Sequence, residues 1–150
     1  MTVPRERDDE MDATQYLVIR TLHLFAAALL VGGATTLWLT VRLEETVSTS
    51  LLAWAEAAFW ALVSLLVFTG LGNLVATGTP PLETRRGGVL AVKFGVIVLL
   101  AVGSVVRSFT VVYLRRDGVR TPTGTLEWLY GLTAVAVGLV VVLAEVLVYG

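Results

Sequence analysis

Four long stretches without a single charged residue constrain this sequence more than any other feature. They cover residues 24–41, 57–82, 94–106 and 128–144. A helix needs about 20 mainly apolar residues to cross a hydrocarbon core about 30 Å thick. Two stretches are long enough by themselves, and the other two reach that length with their flanking residues. The sequence therefore predicts an all-α fold, an integral membrane four-helix bundle.

The composition supports this prediction and excludes several classes of protein. Of the 150 residues, 56% are hydrophobic and 15% are charged, whereas soluble domains carry about 25% charged residues. A net charge of −1 lacks the basic surface of a nucleic-acid-binding protein. The absence of cysteine excludes disulfides and thiolate metal sites. We predict a multi-pass protein of the cell membrane, and no nucleic-acid partner.

The breaks between the apolar stretches set the expected helix boundaries. Residues 1–14 form a polar tail without the basic start and apolar core of a signal peptide, and residues 15–150 form one transmembrane domain. We expect the tail to be solvated and disordered. The predicted helices cover residues 15–41, 51–77, 88–114 and 125–149. Because the connections are short, consecutive helices should run antiparallel, up and down.

Small residues inside the apolar stretches allow helices to approach closely in lipid. Four glycines are the predicted helix-packing positions: Gly32, Gly33, Gly70 and Gly72.

Polar residues within membrane spans are costly and therefore need a reason. Five of them fall toward the membrane face that carries the two termini, each about 6–12 Å deep by the helical rise of about 1.5 Å per residue. We call these five residues the His23 layer: Arg20, His23, Asn73, Lys93 and Glu145. Arg20 and Lys93 have stems long enough to raise their charges to the headgroups. His23 and Asn73 are too short for that.

A second pair of charges lies toward the opposite membrane face. Glu56 is on the second predicted helix and Arg107 is on the third, at similar depth. Opposite charges on adjacent antiparallel helices neutralise each other, so we predict a structural ion pair.

His23 is the residue most able to support chemistry in this chain. It is the sole histidine, so one chain supplies at most one imidazole to a copper ion or a haem iron. A set of histidine, lysine and glutamate could equally relay protons. We predict His23 as the metal ligand, with the other four residues of the layer in support, and assign no catalytic residue.

Two runs of residues, with several shorter matches after them, carry a resemblance to a known family. The first run is LHLFAAALLVGG, residues 22–33, in which a histidine precedes small residues and a double glycine. The second is FTGLGNL, residues 68–74, at the end of the second predicted helix. Further matches occur at Thr79-Pro80, Gly87–Leu90, Val92-Lys93-Phe94, Gly103 and Arg107. Together these residues resemble the copper resistance D (CopD) family, in which tryptophan stands at the position of Leu30. This resemblance implies copper transport or copper tolerance.

Two alternatives stay open at this stage. An early histidine and a lysine in the third helix are also similar to the oxygen-independent protoporphyrinogen oxidase, which implies a haem-linked membrane oxidoreductase. His23 and Lys93 carry that similarity. The chain could otherwise be a membrane subunit or scaffold without catalysis. A non-enzymatic role is favoured, as is association with a second copy or another membrane protein.

Overall fold

Four helices account for the fold in a computed structural model. They are α1 (Arg5–Leu43), α2 (Thr49–Thr77), α3 (Arg85–Asp117) and α4 (Thr123–Tyr149). The structure describes residues 5–44, 46–77, 81–117 and 123–149, apart from the side chains of residues 5–13, 73, 75–77, 117, 123 and 147–149. No strand occurs within those ranges. The predicted all-α four-helix architecture is confirmed.

Each helix contains a segment long and apolar enough to cross a membrane. These segments are Thr14–Leu43, Thr49–Gly72, Arg85–Arg116 and Gly124–Val146. Most of their large apolar side chains face outward, including Phe25, Phe68, Leu99 and Trp128. Such a surface suits hydrocarbon rather than water, because water disfavours large contiguous apolar patches. The chain is therefore an integral membrane bundle.

The first helix begins earlier than the sequence predicted. We expected it to start at Gln15 after a disordered polar tail, but α1 begins at Arg5. Residues 5–14 contain no glycine or proline that would interrupt a helix. They include several acidic residues, which interact favourably with the helix dipole near its N-terminus. The tail is therefore partly a polar extension of α1, whose membrane-spanning segment starts at Thr14.

The helices pack in a ring in which each one contacts its neighbours along the chain, and α4 closes on α1. The seam between α2 and α3 has the least contact, and no diagonal pair packs closely within the described residues. Two groups of buried apolar residues fill the ring. One lies near the α1–α2 connection and includes Val41, Leu52 and Leu126. The other lies deeper and contains Leu30, Phe59 and Val137.

The glycines divide into two groups. A Cβ atom on Gly70 would lie 3.4 Å from His23 Cε1, and one on Gly72 would lie 3.6 Å from Ile19. These two glycines therefore let α2 approach α1 closely, as predicted. No part of the same chain packs closely against Gly32 or Gly33, because a Cβ atom on either residue would meet nothing within 4 Å. Their role in helix packing stays a prediction.

Candidate functional site

His23 is held against α2 by a hydrogen bond inside the membrane. Its Nδ1 atom lies 2.8 Å from the hydroxyl oxygen of Thr69. Thr69 is buried at 2% exposure, and its hydroxyl donates to the carbonyl of Leu65 at 2.7 Å. Gly70, next to Thr69, leaves room for the imidazole edge. The ring is therefore fixed by residues of one helical turn.

This arrangement favours one tautomer of the neutral imidazole. A threonine hydroxyl has one hydrogen and two lone pairs. Since Thr69 gives its hydrogen to Leu65, it accepts from His23, and Nδ1–H is the donor. The lone pair of neutral His23 then lies on Nε2. Histidines that bind metals are oriented in this way, with one ring nitrogen donating to a protein oxygen and the other free to coordinate.

The other members of the His23 layer contribute unequally. Lys93 is half-buried and close enough for its charge to act on the His23 ring. Arg20 and Glu145 are exposed, and no described contact joins either of them to His23. The side chain of Asn73 lies outside the described residues. Among the described residues, the side chain that a hydrogen bond joins to His23 is therefore Thr69, and the supporting role of the other layer residues stays a prediction.

The predicted ion pair between Glu56 and Arg107 is present on the opposite side of the bundle. Arg107 Nε donates to Glu56 Oε1 at 2.6 Å and Nη2 donates to Oε2 at 3.1 Å, so the pairing is bidentate. Arg107 is 1% exposed and Glu56 is 6% exposed. A charge buried this deeply needs both a partner and further hydrogen bonds.

Neighbouring polar side chains supply those further hydrogen bonds. Tyr130 donates to Glu56 Oε1 at 2.8 Å, and Ser108 donates to Oε2 at 2.5 Å. Trp60 donates in turn to Ser108, and Arg107 donates to Thr133. We call this group the Glu56 cluster: Glu56, Trp60, Arg107, Ser108, Tyr130 and Thr133.

The Arg107 guanidinium is also enclosed by aromatic rings. Its central carbon lies 4.4 Å from the Phe59 ring centroid and 4.8 Å from that of Tyr130. Cations over aromatic faces are stabilised, most strongly when water is excluded. The Glu56 cluster therefore connects α2, α3 and α4 through hydrogen bonds between their side chains.

Sequence reasoning missed the partners that complete both polar regions. Thr69 had a signal, since it lies beside Gly70 in the FTGLGNL run. The hydrogen-bonding neighbours of Glu56 and Arg107 had a weaker signal in the sequence. Tyr130 and Thr133 lie three residues apart on α4 and therefore share one helical face.

The donor set limits what the His23 region can hold. Within the described residues no group of three or more histidine, cysteine, aspartate or glutamate side chains could hold a metal ion. One imidazole fits one coordination position of a haem iron, or one ligand of a copper ion whose other ligands come from elsewhere.

Comparison with family models, curated proteins and solved structures found no match for this chain. The assignment of function therefore depends on the site itself.

Proposed function

We propose that this chain is a CopD-like protein of the cell membrane that takes part in copper transport or copper tolerance, and that His23 receives the copper ion. The hydrogen bond between His23 and Thr69 is the observation that carries the proposal. It orients a lone imidazole inside the apolar bundle and leaves Nε2 available. The resemblance of residues 22–33 and 68–74 to the CopD family supplies the identity of the metal.

A single imidazole means that copper is passed on rather than stored. Copper favours histidine, cysteine and methionine ligands, and this sequence has no cysteine, while both methionines, Met1 and Met11, precede the first membrane span. Further ligands would come from a second copy of the chain or from another membrane protein.

Copper tolerance in a copper-sensitive bacterial host tests the proposal. We expect the wild-type chain to restore growth, and His23→Ala and His23→Asn to abolish that effect while both still insert. Asparagine can donate to Thr69 but lacks the second ring nitrogen, so it separates ligation from packing. Thr110→Val is the matched control, because Thr110 bonds only to its own helix at the Val106 carbonyl. Unchanged tolerance with both His23 variants would overturn the proposal.

A haem-linked membrane oxidoreductase is the second candidate, and the donor set favours it. One imidazole is sufficient as an axial ligand of haem, and His23 and Lys93 are the residues that carry the similarity to protoporphyrinogen oxidase. His23 Nε2 would hold the iron, and the haem would supply electron transfer when bound. A Soret band in the purified protein that disappears in His23→Ala would favour this candidate. If neither copper nor haem is bound, the role of a non-catalytic membrane subunit stands.

A further inference from the structure

A cavity of about 120 Å³ lies beside the Glu56 cluster, between α1 and α2. Its inner wall includes Glu56, Arg107 and Tyr130, and small residues such as Gly33 and Ala58 line its outer part. Gly33, Ala58 and Leu29 are exposed on the outer surface of the bundle. The cavity therefore opens sideways into the bilayer and ends at a buried charge pair.

The hydrogen bonds of this charge pair are incomplete on the arginine side. Glu56 accepts four hydrogen bonds, from Arg107 Nε and Nη2, from Ser108 and from Tyr130, which uses its carboxylate fully. A guanidinium has five N–H groups. Three of those of Arg107 have acceptors among the described residues: two go to Glu56 and one to Thr133. Two N–H groups of a residue that is 1% exposed are left over.

Unsatisfied donors at membrane depth are costly because hydrocarbon offers no acceptor. The Phe59 and Tyr130 rings lie close to the guanidinium, but an aromatic ring offers its N–H groups no lone pair to accept a hydrogen bond. The cavity is the open space that Arg107 borders. A molecule that fits this space should therefore bring an acceptor and no charge, on an apolar body that enters from the lipid.

We propose that the cavity between α1 and α2 is a binding site for an uncharged, lipid-soluble carbonyl compound of the quinone class, whose oxygen accepts a hydrogen bond from Arg107. The cavity has the size of a single small ring, and its apolar outer part accommodates the beginning of a hydrocarbon tail. The carbonyl oxygen occupies the inner end, where it satisfies the donors that the chain leaves open. The tail runs out past Gly33 and Ala58 into the bilayer.

Titration of the purified full chain in lipid nanodiscs with 2-decyl-1,4-benzoquinone tests this site, with empty nanodiscs as the reference for partitioning. We expect saturable binding of one quinone per chain. Decylbenzene, which has the same tail and no carbonyl, should bind at least tenfold more weakly. The assay contains no copper, so its outcome is independent of the proposed copper role.

A matched pair of glycines supplies the control on the protein side. Gly33→Leu fills the cavity and should raise the dissociation constant at least tenfold. Gly32→Leu adds the same side chain one position earlier, outside the cavity lining, and should change it less than twofold. If Gly33→Leu does not fold, Ala58→Leu and Ala57→Leu form the equivalent pair on α2.

Three results would overturn the site. The first is quinone binding no greater than partitioning into empty nanodiscs, which would leave a cavity for water alone. The second is an affinity for decylbenzene equal to that for the quinone. The third is an equal change in dissociation constant for the two members of the matched pair.

Discussion

The two polar regions of this bundle differ in how fully the chain satisfies them. In the Glu56 cluster, a buried carboxylate on α2 receives four hydrogen bonds from two other helices, α3 and α4. In the His23 layer, one hydrogen bond joins His23 to Thr69, and Arg20 and Glu145 face outward. The chain satisfies the Glu56 carboxylate fully, so in that cluster the capacity left for a ligand is confined to two N–H groups of Arg107. His23, in contrast, keeps a whole ring nitrogen available for a ligand.

Their surroundings reinforce this difference. The Glu56 cluster lies between the two buried apolar groups of the bundle, in contact with Phe59 and close to Leu52 and Leu126 along the chain. His23 is half-buried and lies toward the end of the bundle that carries the termini. Regions of lower burial open more readily and are where ligands enter.

The largest expected effect follows from breaking the Glu56 cluster. Glu56→Ala or Arg107→Ala leaves a buried charge uncompensated, and we expect each to destabilise the bundle by roughly 3–5 kcal/mol. Unfolding in a titration of sodium dodecyl sulfate against a mild detergent measures the change. The double variant should lose much less than the sum of the two single losses, because the pair acts as a unit. Strictly additive losses would contradict the coupling.

The ion pair could be predicted from the sequence because two opposite charges at matching depth on adjacent helices have few other partners. Its hydrogen-bonding neighbours could not. Ser108, Tyr130 and Thr133 are tolerated in membrane helices in many settings, so their presence alone predicts no contact. Their role depends on how each helix is rotated about its axis.

Helix rotation also explains why the His23 layer was predicted incompletely. Depth follows from residue number along each helix, so the sequence could predict the five polar residues near one face of the membrane. It is harder to predict from the sequence which side of a helix faces the interior of the bundle, because lipid-facing and core-facing positions are both apolar. Arg20 and Glu145 share the depth of His23 and point elsewhere.

The next largest effect tests the close approach of α1 and α2. Gly70→Ala should be tolerated, because its Cβ would lie 3.4 Å from His23 Cε1, which is ordinary contact. Gly70→Leu should displace the imidazole and cost roughly 1–3 kcal/mol, as overpacking does. Copper tolerance should fall with Gly70→Leu and persist with Gly70→Ala. Equal behaviour of the two variants in the tolerance assay would mean that Gly70 does not position His23.

Removal of His23 should cost little stability compared with removal of Glu56. His23→Ala loses one hydrogen bond between helices, worth about 0.6 kcal/mol on average in a membrane protein, and some packing against Gly70. We expect a loss of about 1 kcal/mol in the same detergent titration. A loss of stability as large as that of Glu56→Ala would mean that His23 contributes to the stability of the bundle as strongly as the Glu56 cluster does. The two polar regions would then not differ in this respect.

The smallest effect is expected for Ser104, which lies four residues before Ser108 on α3 and is compared with it. Ser104 is 1% exposed, and its hydroxyl has no hydrogen-bond partner among the described residues. Ser108 accepts from Trp60 and donates to Glu56. Ser108→Ala leaves two buried polar groups one bond short and should cost roughly 1–3 kcal/mol. Ser104→Ala removes an unpaired hydroxyl, so its stability should be unchanged or slightly higher. A loss with Ser104→Ala equal to that with Ser108→Ala would place a hydrogen-bond partner at Ser104 and extend the satisfied region one turn deeper into the bundle.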